Sequence, residues 1–213
     1  MPFRKSQCAP RYGRCMRSIL SLALLCPAML LPTIAQAATV TITVRQPDGT
    51  PLTDGVVMIE SAAVPRAAPR GLYIMEQKQI AFQPHVLVVP VGAQVAFPNR
   101  DLVRHHVYSF SKAKRFDLKL YGREDQRSVT FDTAGVVALG CNIHDSMSGF
   151  IIVSATPLYA RTDAQGRVAI PDVPAGAVTL RLWSPSIRAP GNTLSQPATV
   201  PSAGYATTLT IRR

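Results

Sequence analysis

Three residues that bind soft metal ions follow one another at regular spacing: Cys141, His144 and Met147. Apolar residues at 136–139 precede them and residues 150–153 follow, which predicts a short loop between two strands. A loop this short can turn its thiolate, imidazole and thioether towards one point. Thiolate and imidazole ligands with a weak axial thioether are typical of type 1 (blue) copper, which carries single electrons. The spacing therefore predicts one copper ion per chain, cycling between Cu(I) and Cu(II).

Such a site needs a second histidine, and the chain offers His105 and His106 further upstream. Adjacent residues of a strand point to opposite faces, so only one of the two reaches the metal. The other would support the site from outside or lie on the surface. Asn99 precedes both, and it either hydrogen-bonds near the Cys141 loop and holds that loop in place or simply forms a turn.

The segment from Asn99 to His105 resembles the upstream copper loop of the plastocyanins and amicyanins. In those cupredoxins a strand ends in Asn and the ligand histidine stands six residues later, as it does here. The Cys141 loop resembles the compact loop of amicyanin. The resemblance implies His105, Cys141, His144 and Met147 as copper ligands, with His106 the less favoured alternative to His105. Asn99 and His106 would then support the ligands.

The whole chain also resembles periplasmic proteins labelled methylamine-utilisation or plastocyanin-like. They contain His-His-Val-Tyr-Ser-Phe and Gly-Cys-Asn-Ile-His-Asp, which stand here at 105–110 and 140–145. That label refers to a gene neighbourhood, so whether methylamine metabolism is involved stays open.

The first 37 residues have the pattern of an export signal. Five Lys and Arg precede an apolar run at 19–31, and Ala35-Gln36-Ala37 forms a cleavage site, so we expect cleavage after Ala37 and a periplasmic protein. The apolar run is too short to span a bilayer comfortably, and no second long run follows. Three of the four cysteines lie in this segment, which leaves Cys141 without a disulfide partner.

The mature chain keeps 18 Lys and Arg against 12 Asp and Glu, a formal net charge of +6. No alternation of basic and aromatic residues suggests nucleic-acid binding. A moderately basic surface suits an acidic redox protein, such as a cytochrome or a dehydrogenase. Lys112, Lys114 and Arg115 are candidates for the docking patch, although a charge run is more often only a solvated surface.

Short apolar or β-branched runs separated by Gly and Pro turns predict an all-β protein. We expect residues 71–155, with all four His and Cys141, to form a Greek-key β-sandwich of cupredoxin type. Residues 38–70 hold two strands and a linker. With residues 156–213, which are similar to the small Ig-like regulatory modules of carboxypeptidases, residues 38–60 are expected to form a second small β unit.

Enzymatic function is not expected. Multicopper oxidases and copper nitrite reductases need further histidines, often as His-x-His pairs. This chain has four histidines and no such pair, and His85 is predicted to be structural or exposed. The alternative to an electron carrier is a copper storage, copper delivery or structural protein without an electron-transfer role.

Overall fold

The computed structural model describes residues 37–211, which form strands and their connections apart from one 3-10 turn at Pro190–Asn192. The predicted export signal lies outside the described residues except for Ala37, with which the first strand begins. Between residues 37 and 211, no helix has the length and apolar character that crossing a membrane requires. The strands, in chain order, are β1 Ala37–Arg45, β2 Val56–Glu60, β3 Tyr73–Ile74, β4 Glu76–Gln77, β5 Phe82–Gln83, β6 Val86–Pro90, β7 Ala93–Ala96, β8 His105–Ser111, β9 Lys114–Tyr121, β10 Ser128–Phe131, β11 Gly135–Gly140, β12 Ser148–Ser154, β13 Tyr159–Arg161, β14 Arg167–Pro174, β15 Gly176–Trp183, β16 Thr193–Val200 and β17 Tyr205–Thr210.

Two sheets built from residues 73–154 enclose one apolar core. One has the strand order β10-β7-β3 and the other β6-β12-β11-β8-β9. Strand β8 alternates, with His105, Val107 and Ser109 turned inward. The core between the sheets contains Phe97, Tyr121 and other buried residues together with Cys141. The all-β sandwich predicted from the sequence is therefore confirmed.

Strands from both ends of the described chain form two further sheets. Strand β1 lies between β14 and β17, and the second sheet has the order β13-β2-β15-β16. Alternating residues of β1, such as Val40 and Ile42, are fully buried in a core shared with β14 and β15. Residues 38–60 thus pair with residues 159–210. The boundaries at residues 70 and 155 stay predictions, because the described residues lie in one compact unit.

A small third core joins the two sets of sheets. Trp183, at the end of β15, is fully buried, and its ring lies 5.0 Å from that of Phe150 on β12. Val86 and Ile152 from the first pair of sheets and Val56 from the second complete this core. The outer face of the five-stranded sheet is therefore covered along β6 and β12.

Strand β9 was not among the predicted strands, because its four charged residues obscure the pattern. Phe116, Leu118 and Leu120 nevertheless alternate with charged Arg115, Asp117 and Lys119, which is the period of a strand with one apolar face. Strand β16 was missed for a similar reason: its residues are mostly polar or small and it contains Pro197, which a sheet edge tolerates.

Candidate metal centre

The loop between β11 and β12 carries three of the four predicted ligands. Gly140 pairs with Ser148, so residues 141–147 close a hairpin at one end of the sheet. Within it the Met147 N–H donates to the His144 carbonyl at 2.9 Å, which folds the loop back on itself. Cys141 and Met147 are 3% and 2% exposed and belong to the same core cluster. The local fold thus turns both sulfur-bearing side chains inward.

His105 begins strand β8 and comes close to this loop. The nearest ligand atoms of His105, Cys141 and His144 all lie within 4.8 Å of one another. Cys141 Sγ is 4.0 Å from His144 Nδ1, and the two imidazole rings are 5.1 Å apart between centroids. One sulfur and two nitrogen donors from distant parts of the sequence therefore face a common point.

The hydrogen bonding of His105 leaves one ring nitrogen free to bind a metal. The Nε2–H donates to Asp101 Oδ2 at 2.9 Å, because an ionised carboxylate can only accept. Nδ1 then carries the lone pair, and it is buried without any hydrogen-bond partner. A buried unpaired nitrogen costs free energy unless something else binds it. A metal ion beside Cys141 and His144 would satisfy it.

His106 lies on the outer face of β8, and both of its nitrogens are engaged. Nε2 contacts Asp117 Oδ1, and Nδ1 accepts a hydrogen bond of 2.9 Å from Asn142 Nδ2. Asn142 directly follows Cys141, so His106 supports the ligand loop from outside. Hydrogen bonds from the Lys119 side chain, from His106 and from the Lys119 N–H lower the pKa of Asp117. His105 therefore stays the predicted ligand of the two.

Asn99 holds the upstream loop, which is the turn-forming one of the two roles that the sequence left open. Its Nδ2 donates to the Val103 carbonyl at 2.8 Å, and its Oδ1 accepts from the Asp101 N–H at 2.8 Å. A side chain placed at the start of a loop bonds most readily to the backbone a few residues on. The effect on the site is indirect: Asn99 positions Asp101, and Asp101 orients His105.

Asp101 is a supporting residue that sequence reasoning missed. Its carboxylate also accepts the N–H groups of Gln79 and Ile80, at 2.7 and 2.9 Å. Partial burial alone would raise the pKa of Asp101, but the bonds from Ile80, His105 and Gln79 hold it below its ordinary value. The carboxylate therefore stays ionised and fixes the His105 tautomer. The available signal was an acidic residue four positions before a candidate ligand.

Asn142 and Asp117 were also missed. Asn142 lies between the predicted ligands Cys141 and His144, and this position in the sequence was the only hint that it supports the site. Asp117 lies on a strand that was not predicted. Their contacts with His106 depend on the pairing of β8 with β9 and on the closeness of β8 to the ligand loop.

The edge of the site is apolar and partly open. His144 is half-buried, while Ile143 is 53% and Leu102 90% exposed. Ile143 belongs to the loop of the predicted ligands Cys141, His144 and Met147, and Leu102 to the loop that precedes His105. His85, predicted to be structural or exposed, is exposed and contacts the Ser148 carbonyl through Nδ1 at 3.2 Å.

The predicted basic docking patch lies away from the site. Lys112, Lys114 and Arg115 surround the turn between β8 and β9, whereas His105 stands at the other end of β8 and pairs with Tyr121. The length of β8 separates them by roughly 20 Å. Lys114 is also 3.0 Å from Asp132. These cations therefore do not border the His144 edge.

No protein family matches the sequence, and no curated protein is similar to it. Among solved structures, a reduced Cu(I) form of an amicyanin variant is 22% identical and matches 46% of this chain and 98% of its own length, with a TM-score of 0.37. A purple cupredoxin from Nitrosopumilus maritimus is 24% identical over 40% of this chain and 100% of its own, with a TM-score of 0.35. A copper-containing nitrite reductase from Thermus scotoductus SA-01 is 23% identical over 52% of this chain and 28% of its own, with a TM-score of 0.38. The structural neighbours are thus amicyanin and other cupredoxins.

Proposed function

We propose that this chain is an exported type 1 copper protein that carries single electrons between redox partners. The observation that carries the proposal is the convergence of Cys141 Sγ with nitrogens of His105 and His144, within 4.8 Å of one another. Met147, buried in the same core as Cys141, would supply the weak axial thioether.

The donor set fits copper because it mixes soft and intermediate ligands. Thiolate and thioether favour Cu(I), while imidazole binds both oxidation states, so neither state is strongly disfavoured. Bound copper would supply a one-electron couple. The orphaned Nδ1 of His105 indicates that the buried side of the site is built to hold an ion.

The protein residues keep this site closed and fixed. His105 is fully buried and Cys141 nearly so, which excludes water from the sulfur. Asp101 locks the His105 ring through Nε2, and the turn between His144 and Met147 holds the ligand loop. His144 is half-buried and Ile143 beside it is exposed, so an electron would reach the surface through the His144 ring. The apolar rim would let a partner approach without trapped water.

The same burial argues against copper storage or delivery. Handing over a metal ion by ligand exchange requires the incoming ligand to reach the donor atoms, and His105 and Cys141 are 0% and 3% exposed. An enzymatic copper centre would need further histidines. Of the two remaining in the chain, His106 has both nitrogens engaged and His85 lies exposed.

Spectroscopy of copper-loaded protein comprising residues 38–213 tests this proposal. We expect an intense absorption band in the red part of the visible spectrum and a narrow copper hyperfine splitting in EPR, followed by reversible one-electron electrochemistry. A Cu(II) complex without the intense band, or a strong preference for zinc over copper, would exclude the electron-carrier function.

A further inference from the structure

Three aromatic rings line the outer face of β8. His106, Tyr108 and Phe110 alternate with the inward residues of the strand, and their ring centroids are 5.8 and 5.2 Å apart. Phe110, at the far end, is 74% exposed. A contiguous row of aromatic rings that packs on neither core marks a candidate interaction site.

This aromatic stripe touches both residues that flank Cys141. Tyr108 pairs with Gly140 and lies so close that a Cβ at Gly140 would stand 2.7 Å from Cζ of the tyrosine ring. On the other side, His106 accepts the hydrogen bond from Asn142. The rings of Tyr108 and His106 therefore each contact a residue that is covalently bonded to Cys141.

The rest of the outer face of this sheet is already covered. Along β6 and β12, Trp183 packs on Phe150 and Ile152. Ala138 and Gly140 on β11 are small, so the surface beside Tyr108 and Phe110 stays flat and open. The uncovered half of the face is thus the half that carries the aromatic stripe.

Two free cations border the exposed end of the stripe. Arg115 is the cross-strand partner of Phe110, and Lys112 stands in the adjoining turn. Among the described residues neither has an acidic partner, in contrast to Lys114 with Asp132. An aromatic centre with a charged rim is the usual composition of a protein docking site.

We propose that the outer face of β8 and β9, centred on Phe110 and bordered by Lys112 and Arg115, is a second electron port that docks an acidic one-electron redox protein. The port rests on the proposed function and lies apart from the His144 edge. With two ports, a donor and an acceptor can be bound at once.

The positive charges of Lys112 and Arg115 favour an acidic redox protein over a second copy of the chain. In a two-fold dimer the same patch meets itself, which would bring the Lys112 and Arg115 cations of both copies together at the exposed rim. A partner with carboxylates around an apolar patch instead pairs with them and is steered towards them at low salt.

The transfer itself needs no bond change in the protein. The reduced centre of the partner would give up one electron and be oxidised, and copper held by His105, Cys141 and His144 would accept that electron. Tyr108 keeps its phenolic proton and stays in its ground state. Its ring serves as the bridge from the docked surface to the Gly140 backbone, because electrons tunnel better through bonded and contacting atoms than through water.

Docking is tested with metal-free and zinc-loaded protein, so that it does not depend on copper chemistry. The probe is oxidised plant-type [2Fe–2S] ferredoxin, an acidic protein, titrated into isotope-labelled chain and followed by amide NMR. We expect shifts confined to residues 106–117 at low salt that vanish in Phe110→Ser and in Lys112→Glu with Arg115→Glu. Basic cytochrome c is the control of opposite charge. Shifts centred on Leu102 and Ile143, or no shifts at all, would contradict docking at this face. Concentration-dependent dimerisation through Phe110 would show instead that the face binds a second copy of the chain.

Electron transfer is then measured by stopped-flow reduction of the Cu(II) protein with reduced ferredoxin. The charge reversal should lower the second-order rate constant about ten-fold or more at low salt. At saturating ferredoxin, where the rate no longer depends on docking affinity, Tyr108→Leu should slow transfer within the complex, and Tyr108→Phe should restore it. Equal rates for Tyr108→Leu and wild type would show that the electron does not pass through the Tyr108 ring. If no blue copper forms, the proposed function fails while the NMR result still decides the docking surface.

Discussion

Asp101 Oδ2 accepts the Nε2–H of His105 at 2.9 Å, and this contact leaves Nδ1 of the same ring buried and unpaired beside Cys141 and His144. The carboxylate is itself held by the N–H groups of Gln79 and Ile80. The orientation of the His105 ring is thus set by a chain of contacts that begins in another loop.

Removal of the Asp101 carboxylate should weaken copper binding. In Asp101→Ala the His105 ring loses its fixed tautomer, and we expect a 10- to 100-fold lower copper affinity in chelator competition. Asp101→Asn should also weaken binding, because one amide oxygen cannot accept from His105 and from two backbone N–H groups together. Asp145→Asn, an exposed change within the ligand loop, is the control. Equal affinities for Asp101→Ala and Asp145→Asn would contradict a positioning role.

The two adjacent histidines should respond differently to truncation. His105→Ala removes a buried donor and should open the site, with loss of the type 1 EPR signal. His106→Ala removes only the link between Asn142 and Asp117, so the colour should stay nearly intact. Bleaching by His106→Ala with colour retained in His105→Ala would show that the ligand has been assigned one residue too early.

Substitutions of the two predicted sulfur ligands, Cys141 and Met147, should have different effects because the two have different chemical roles. Cys141→Ser should abolish the intense visible band, because it arises from the copper–thiolate bond and a serine oxygen cannot replace it. Met147→Leu should keep copper and colour while changing the reduction potential, since the axial ligand tunes the couple. The measurements are absorption spectroscopy and protein-film voltammetry. An unchanged potential in Met147→Leu would argue against axial ligation.

The amino-acid sequence was enough to predict the all-β fold and to select every residue of the converging cluster, which consists of His105, Cys141 and His144. For Cys141, His144 and Met147 the reason is local, because the three share one loop and their spacing alone implied convergence. His105 was favoured over His106 only through the resemblance to plastocyanins and amicyanins. Asp101, Asn142 and Asp117 could not be predicted in the same way. Their roles depend on which loops and strands lie side by side, and spacing along the chain does not contain that pairing.

The position of the basic patch also depends on strand pairing, which the sequence does not contain. Lys112, Lys114 and Arg115 were visible as a charge cluster, but its distance from the site follows from the register of β8 on β9. Phe110 gained its place beside Arg115 only through that register.

Asp163 should make the second pair of sheets sensitive to acid. Its Oδ1 accepts the N–H groups of Arg167 and Gln165, both at 2.8 Å, and these bonds lower its pKa. A lowered pKa stabilises the fold above the unfolded value, which is near 3.8, and the contribution is lost as pH falls through the folded value. The Tm difference between wild type and Asp163→Asn should stay constant above about pH 5 and shrink below it. A difference that grows in acid would have the wrong sign.

Trp183 should be the residue whose loss most weakens the joint between the two sets of sheets. It is fully buried against Phe150 and Ile152, so Trp183→Ala leaves a large cavity and should cost about 3–5 kcal/mol of unfolding free energy in urea titrations followed by circular dichroism. Trp183→Phe is the matched control. It keeps most of the contact and removes an indole N–H that has no partner, so its cost should be clearly smaller. If the joint couples the two halves, Trp183→Ala should also turn one unfolding transition into two. A loss as small as that of Trp183→Phe would show that the halves are held together elsewhere.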